Sequence, residues 1–315
     1  MKRPLTRVLS SLHRHDYKAN INRHHQYIDY CRGWAWQQVL LTQRLAARKL
    51  QENETTAHDI DSILLLEHAP VYTLGRGASE DHLLFLNNDN DDYNKNNSHD
   101  VHRLSRKYRG ADSPRLVMND RKSLEEMLQH QTPQDAVSTL ASLSTPVLAP
   151  NGVPIYRVDR GGEVTFHGPS QLVVYPIFDL KQEPFKADLH WFLRQVEEVV
   201  IQTLQHYEIE GGRDEINSGV WVGQNKIAAI GVSATSWISS HGFSLNVSPN
   251  LDYFDTSLIL PCGIEGRGVT SIERELLQQQ NRVAPTVVGV ADVALQKIGS
   301  VFGIEVGQSS PIDYY

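Results

Sequence analysis

The chain has 315 residues, 40% of them hydrophobic and 21% charged, and 30 Lys+Arg against 37 Asp+Glu leave a formal net charge of −7. This is an ordinary globular composition, long enough for one large domain or two small ones to bury a core without disulfide staples. An acidic balance with no sustained Lys/Arg block argues against nucleic acid as the main partner, and no apolar run approaches the roughly 20 residues of a membrane span. The two cysteines, Cys31 and Cys262, are too few for a disulfide framework.

In the first 25 residues, Lys2, Arg3, Arg7, Arg14, Lys18 and Arg23 oppose the single acid Asp16, and Leu5, Val8, Leu9 and Leu12 recur at helical spacing, within an N-terminal extension taken as 1–33. That pattern reads as a basic amphipathic presequence for mitochondrial or plastid import, or else as a plain disordered tail of a cytoplasmic protein. Trp34–Leu50 reads as an amphipathic helix, and Ser62–His68 and Val71–Leu74 read as strands around Pro70. Between about Asn87 and Thr145 the composition turns polar, with a basic patch at Arg103–Arg109 and a short polar helix near Ser123–His130. This stretch reads as a largely disordered insertion, which costs little in a surface loop because closure entropy grows with the logarithm of length. The basic patch offers a docking surface for an acidic carrier protein.

From Pro154 the chain reads strand, loop, strand through Gly161-Gly162 and Leu172–Phe178, and Asp188 caps a helix with an apolar face. Ser218–Val222 and Ile227–Val232 flank GQNK as a hairpin, Gly242–Val247 is a strand, and Thr286–Phe302 is a helix. Strands adjacent in sequence with helices beside them predict α/β (α+β) with a mixed sheet. The expected catalytic domain spans 34–303, followed by a tail at 304–315.

Three features are hard to explain as packing alone. Arg160-Gly161-Gly162 through His167 can wrap an acidic or carbonyl-bearing ligand, the plainer reading being a tight turn with a surface arginine. Lys226 opens an apolar strand, although lysines in turns are commonly solvated. Pro261-Cys262-Gly263 places a thiol on a loop, where nucleophiles tend to sit. An ordinary thiol is only a few per cent thiolate at neutral pH, so a nucleophilic Cys262 needs a cationic neighbour, for which Lys226, His167 and His241 are the candidates.

Taken in order, EHAPVYTLGR (Glu67–Arg76), VDRGGEVTFHGPSQLVVYPI (Val158–Ile177), GVWVGQNKIAAIGV (Gly219–Val232), HGFSLNV (His241–Val247) and PCGIEGRGVTSIERE (Pro261–Glu275) resemble the lipoyl(octanoyl) transferases. These enzymes share a fold superfamily with lipoate and biotin protein ligases. The resemblance covers Trp34–Gly303 apart from the insertion. It implies a biotin/lipoate ligase-like catalytic domain without metal or cofactor. Cys262 falls on the family's acyl-carrying cysteine and Lys226 on its paired lysine. The substrate-binding segments fall on Arg160, Gly161, Gly162, Glu163, Val164, Thr165, Phe166 and His167, on Ala229, Ile230 and Gly231, and on Gly242, Phe243 and Ser244. Ser170 stands where the family commonly has glycine, and Ser244 where it commonly has alanine.

The implied reaction moves an octanoyl group from octanoyl-acyl carrier protein to a cysteine thioester. From there it passes to a lysine on a lipoyl domain of a 2-oxoacid dehydrogenase complex or of the glycine cleavage H protein. The alternatives are an ATP-dependent lipoate-protein ligase, a noncatalytic lipoyl-domain binding partner and a Cys/His thioesterase.

Overall fold

The computed structural model describes residues 6–12, 27–51, 61–84, 115–116, 121–143, 146–254, 259, 267–280 and 283–312. The first elements are strand β1 (Thr6–Ser10), helix α1 (Tyr30–Gln51) and strands β2 (Ser62–Leu66) and β3 (Val71–Leu74). Next come β4 (Arg115–Leu116), helices α2 (Arg121–His130) and α3 (Pro133–Ser142), and strands β5 (Val147–Leu148) and β6 (Pro154–Val158). Strands β7 (Val164–His167) and β8 (Gln171–Ile177) lead into helix α4 (Leu189–His206). Then follow β9 (Gly212–Arg213), β10 (Val220–Val222), β11 (Asn225–Thr235) and β12 (Ile238–Asn246). The last elements are β13 (Gly268–Val269), α5 (Ile272–Gln280), α6 (Val287–Phe302) and β14 (Val306–Pro311).

The larger sheet has the order β14-β1-β2-β8-β12-β11-β10-β9, with β13 paired to β11; a smaller one runs β4-β6-β3-β7 with β5 on β6. Both mix parallel and antiparallel pairs. Alternation along the central strands divides the core, because successive side chains of a strand face opposite sides. Val8, Ile63, Leu65, Leu172 and Val174 pack with α4 and α6 on one face, and Leu9, Leu64, Leu66, Val173 and Tyr175 pack with α1 on the other. The sheet is therefore buried on both faces, as an α/β core requires. No described helix is long and apolar enough to cross a membrane.

The helix ends follow their sequence signals. Asp188 caps α4 by accepting from the amides of His190 and Trp191, and Thr286 caps α6 by accepting from Gly289. Gly303 ends α6 in the left-handed region, at φ 66°.

Three expectations are corrected. Residues 6–10 are a strand, not part of an amphipathic helix: β1 lies between β14 and β2, with Val8 and Leu9 almost fully buried on opposite faces. Four short-range apolar positions fit a helix and a two-sided strand alike, and the lane between β2 and β14 decides for the strand. The 304–315 tail likewise holds β14, so the packed unit extends past both ends of 34–303.

Within the expected insertion, the described residues 121–143 are folded, since α2 and α3 lie on α1 and bury Leu124, Ala136, Val137 and Leu140. Arg121 fastens α2 by donating to Thr42 Oγ1 (2.9 Å) and Gln38 Oε1 (3.0 Å). Helix α1 is consequently buried nearly all round, which is why it carries Gln37, Gln38 and Arg44 inside. Arg44 is paired with Asp61 at 3.1 Å and Asp179 at 3.4 Å. Residues 87–99 and the Arg103–Arg109 patch lie outside the described residues.

Removing residues 1–12 should unpair β2 and β14 and strip two core side chains, each worth about 1.5–3 kcal/mol. The expected result is a large fall in soluble yield and in the thermal unfolding midpoint; an unchanged midpoint would show β1 to be dispensable.

Candidate active site

A cavity of about 220 Å³ opens between the loop at 160–163, strand β7 and the face of β11 and β12. Its floor is paved with small residues. Ala229 pairs with Ser244 and Gly231 with Gly242 across the two strands, so four small side chains share one face of the sheet. The larger Ile230, Phe243 and Leu245 join the core under α4 and α6, while Ile230 and Phe243 also border the cavity.

Strict alternation from Ala229 and Gly231 would turn Lys226 to that same core side. A β-bulge prevents it. Val220 pairs with Ala228 but Trp221 pairs with Lys226, leaving Ile227 extra, and Ile227 and Ala228 both enter the core. The bulge re-aims Lys226 into the cavity. The lysine is 7% exposed, donates to the carbonyl of Ser218 at 2.9 Å and lies 4.7 Å from the Trp221 ring centroid. Among the described residues no carboxylate is paired with it. Gly219 makes room for it: at φ 123°, a Cβ there would lie 2.6 Å from the Ala228 carbonyl oxygen and 3.3 Å from Lys226 Cε.

Cys262 lies outside the described residues, but the chain on either side of its loop is placed. Ile259 is fully buried in the core of the smaller sheet. On the other side the Arg267 guanidinium sits 3.9 Å from the same Trp221 ring and donates to Asp214 Oδ2 at 2.6 Å. This contact, with amides from Asn217 and Ile216, holds the Asp214 carboxyl well below its usual range. Val269 then pairs with Lys226, and the Thr270 amide donates to the Lys226 carbonyl at 3.0 Å.

The glycine loop is braced from inside. Arg160 Nη2 donates to Thr73 O (2.9 Å), Thr73 Oγ1 (2.8 Å) and Glu163 O (3.0 Å), while Nη1 donates to Gly161 O (2.9 Å). Arg160 is thus a buried strut for the loop as well as part of the cavity wall. Gly162 sits at φ 88°, and a Cβ on Gly75 would lie 2.0 Å from its carbonyl oxygen, so the two glycines require each other.

Gly162, Glu163, Val164, Thr165 and His167 line the cavity with Arg160; Gly161 and Phe166 do not. The amide of Gly161 donates to Val232 O at 3.1 Å. Phe166 points to the opposite face of β7 and stacks on Tyr253 with centroids 4.4 Å apart. Period-2 alternation puts Thr165 and His167 on one face of β7 and Val164 and Phe166 on the other, in the core of the smaller sheet, and of those two only Val164 also borders the cavity.

Three aromatic groups that sequence reasoning did not mark, Tyr30, His68 and Tyr175, meet the marked His167 here. His68 Nδ1 donates to the Ile28 carbonyl (2.8 Å), so its Nε2 accepts from the Tyr175 hydroxyl (3.0 Å). Tyr30 stacks on His167, centroids 5.8 Å apart. Burial lowers His68 to about 4 and His167 well below the usual range, and raises both tyrosines. The cluster is therefore uncharged at neutral pH. Gly33 allows it, since a Cβ there would lie 2.6 Å from His68 Cε1.

Ser170 adopts φ 64°, with its amide donating to Glu67 Oε1 at 2.6 Å. A serine in this region carries a strain of roughly 1–2 kcal/mol that glycine lacks. Ser170→Gly should raise the thermal midpoint by a few degrees; a lower midpoint would contradict the strain.

His68 predicts a pH dependence with a definite sign. Its folded pKa of about 4 lies below the ordinary 6.5, so the unfolded chain binds the proton first. The contribution is complete above pH 6.5 and is lost as pH falls towards 4, by about 3 kcal/mol. Denaturant titrations should show this slope, and His68→Gln, which does not titrate, should flatten it.

Residues 129–294 match the lipoyl protein ligase A/B catalytic domain. An octanoyltransferase of Synechococcus elongatus is 37% identical over 246 residues, 78% of this chain and 73% of that protein. One of Cytophaga hutchinsonii is 31% identical over 305 residues, 94% of this chain and 97% of its own length. A chloroplastic octanoyltransferase of Arabidopsis thaliana is 35% identical over 249 residues, 79% of this chain and 64% of that one. Among solved structures, lipoate-protein ligase A bound with ATP superposes with a TM-score of 0.54 at 11% identity, covering 98% of this chain and 90% of that one. A bipartite lipoate protein ligase of Thermoplasma acidophilum does so at 0.53 and 12%, covering 98% and 88%. At such identities the structures speak for the fold alone. The sequence relatives, matched along most of their length, speak for descent, and the chain belongs to the octanoyltransferases of the lipoyl protein ligase A/B catalytic-domain family.

Proposed function

We propose that this chain transfers an octanoyl group from octanoyl-acyl carrier protein to the acceptor lysine of lipoyl domains, through a thioester on Cys262. The observation that carries the reading is Lys226: a buried lysine without a paired carboxylate among the described residues, turned by a bulge into the cavity, with its backbone carbonyl accepting from the amide of Thr270, downstream of Cys262. The family membership supplies the acyl chemistry.

In the first half the Cys262 thiolate attacks the donor carbonyl and the carrier thiolate leaves, taking up a proton. In the second the acceptor amine attacks the Cys262 thioester, loses a proton, and the cysteine thiolate leaves. Lys226 as a cation favours the thiolate; once neutral it accepts the proton from the amine. Thioester exchange is nearly neutral in free energy and amide formation from a thioester is downhill, so no nucleotide is needed. The Gly161 amide is spent on Val232, which leaves the amides of Gly162 and of the Cys262 loop as candidates for the oxyanion.

The acceptors we infer are lipoyl domains of 2-oxoacid dehydrogenase complexes and the glycine cleavage H protein. The expected mitochondrial address rests on residues 1–33, and β1 lies inside them. A cut before Trp34 would remove a strand from within the sheet, so we propose that Thr6–Ser10 stays on the working enzyme, in an organelle or outside one.

Intact mass after mixing the protein with octanoyl carrier protein, with no nucleotide present, tests the reading. Wild type should gain one octanoyl group, and Cys262→Ser none. Lys226→Ala should acylate slowly at neutral pH and partly recover as pH rises, while transfer to the acceptor stays poor. Acylation of Cys262→Ser, or a wild-type rate for Lys226→Ala, would remove the Cys/Lys pair from the mechanism. A requirement for ATP would favour the ligase alternative, and octanoate release without acceptor would favour the thioesterase.

A further inference from the structure

Lys226 is not the sole side chain that reaches the cavity by breaking strand parity. On β12, Phe243 and Leu245 enter the helix-side core while Gly242 and Ser244 pave the cavity, so alternation assigns His241 to the core with Phe243. Instead His241 lies at φ 58°, in the left-handed region, and its imidazole lines the cavity. Such a backbone is uncommon for a residue with a Cβ and persists only where its surroundings enforce it.

The surroundings do enforce it. The His241 amide donates to Gln37 Oε1 of α1 at 2.6 Å, and Nε2 donates to Asp159 Oδ1 at 2.8 Å. The side chain is 1% exposed, against 16% for Asp159. Its Nδ1 is buried with no hydrogen-bond partner among the described residues, as is His167 Nδ1. Around it stand Tyr175, with its ring 6.0 Å away edge-on, and His167 and Tyr30, which line the same cavity.

The position matters as much as the strain. His241 pairs with Val232, six residues along β11 from Lys226, or roughly 20 Å at the rise of a strand. Between the two lie Ala229 with Ser244 and Gly231 with Gly242, a slot whose floor is level because none of the four carries a long side chain. The lysine stands at one end, and the Asp159-bound imidazole closes the other. The Lys226 ammonium leans along β11 towards His241, since it donates to the carbonyl of Ser218, whose Oγ lies 3.4 Å from the Ile230 carbonyl oxygen. The open run from ammonium to imidazole is therefore shorter than the distance between the two backbone positions, and a hydrocarbon chain laid along the floor from the ammonium heads for His241.

We propose that His241, braced by Asp159, is the end wall of the acyl slot and sets the longest chain that the enzyme accepts. This rests on reading the cavity as the acyl site. A shorter chain leaves the wall untouched and forgoes contact, at about a fourfold loss per missing methylene. A longer one meets an imidazole that has no rotamer to retreat to, because its carboxylate partner and its left-handed backbone both hold it.

The test uses the full-length chain and His241→Gly, which suits φ 58° and removes the wall without adding strain. His241→Asn, a smaller residue that also tolerates this region, serves as the second variant. Calorimetric binding of octanoic and dodecanoic acids reads the slot without any reaction, so failure of the transfer mechanism does not obscure the result. Single-turnover acylation by octanoyl and dodecanoyl carrier proteins gives the kinetic counterpart. The expected outcome is a rise of at least about tenfold in the dodecanoyl-to-octanoyl ratio for either variant. A role confined to folding would lower both chain lengths equally. An unchanged ratio in variants that melt like wild type would overturn the wall.

Discussion

Eight consecutive cross-strand pairs, from Ala228↔Leu245 to Thr235↔Ile238, join β11 to β12, and the site depends on that ladder. One face of the pair packs under α4 and α6 with Ile230, Phe243 and Leu245, where size gives stability. The other is left low by alanine, serine and two glycines. Filling it would abolish the site: a Cβ on Gly231 would lie 2.7 Å from the Gly161 carbonyl oxygen, and one on Gly242 would lie 2.1 Å from that of Val174. The same strands thus anchor the core and floor the cavity, and alternation keeps the two duties on separate faces.

Two polar side chains on this floor arrive against that alternation, Lys226 through a bulge at Ile227 and His241 through a left-handed backbone. Neither device is stable in isolation; the first forfeits regular pairing, and the second costs on the order of 1–3 kcal/mol. Both are held by elements from elsewhere in the chain. β13 pairs along Asn225 and Lys226, Trp221 gives its ring to Lys226, and α1 offers Gln37 to the His241 amide. Helix α1 comes close enough to do so because Gly33 lets it rest on His68.

The electrostatics of the cavity follow from burial. His68, His167, Tyr30 and Tyr175 are all shifted towards their neutral forms, chiefly because desolvation penalises charge. Arg160 directs both terminal nitrogens to loop carbonyls and Thr73. Such a wall is polar in composition yet presents little net charge to a ligand, which suits a hydrocarbon better than a carboxylate. The half-buried Glu163 also lines the cavity and accepts from His82 Nδ1 at 3.0 Å.

Local chemistry carried much of this protein in its sequence. The family resemblance alone marked Ala229–Gly231 and Gly242–Ser244, whereas Asp188 and Thr286 announced α4 and α6, GQNK marked the turn before β11, and the glycines beside Arg160 marked a ligand loop. These features were legible because a cap, a turn or a glycine requirement is satisfied within a few residues. What only the tertiary structure decided is which way side chains face and what covers them. Val8 and Leu9 fit a helical stripe until β2 and β14 take them as a strand, and α2 and α3 look like a polar insertion until α1 receives Leu124 and Leu140. Phe166 sits inside a binding motif yet turns away, whereas Lys226 and His241 turn in against strict alternation. Periodicity reports the average face of an element. A bulge or a single left-handed residue breaks that average, and long-range contacts alone determine where it is stable.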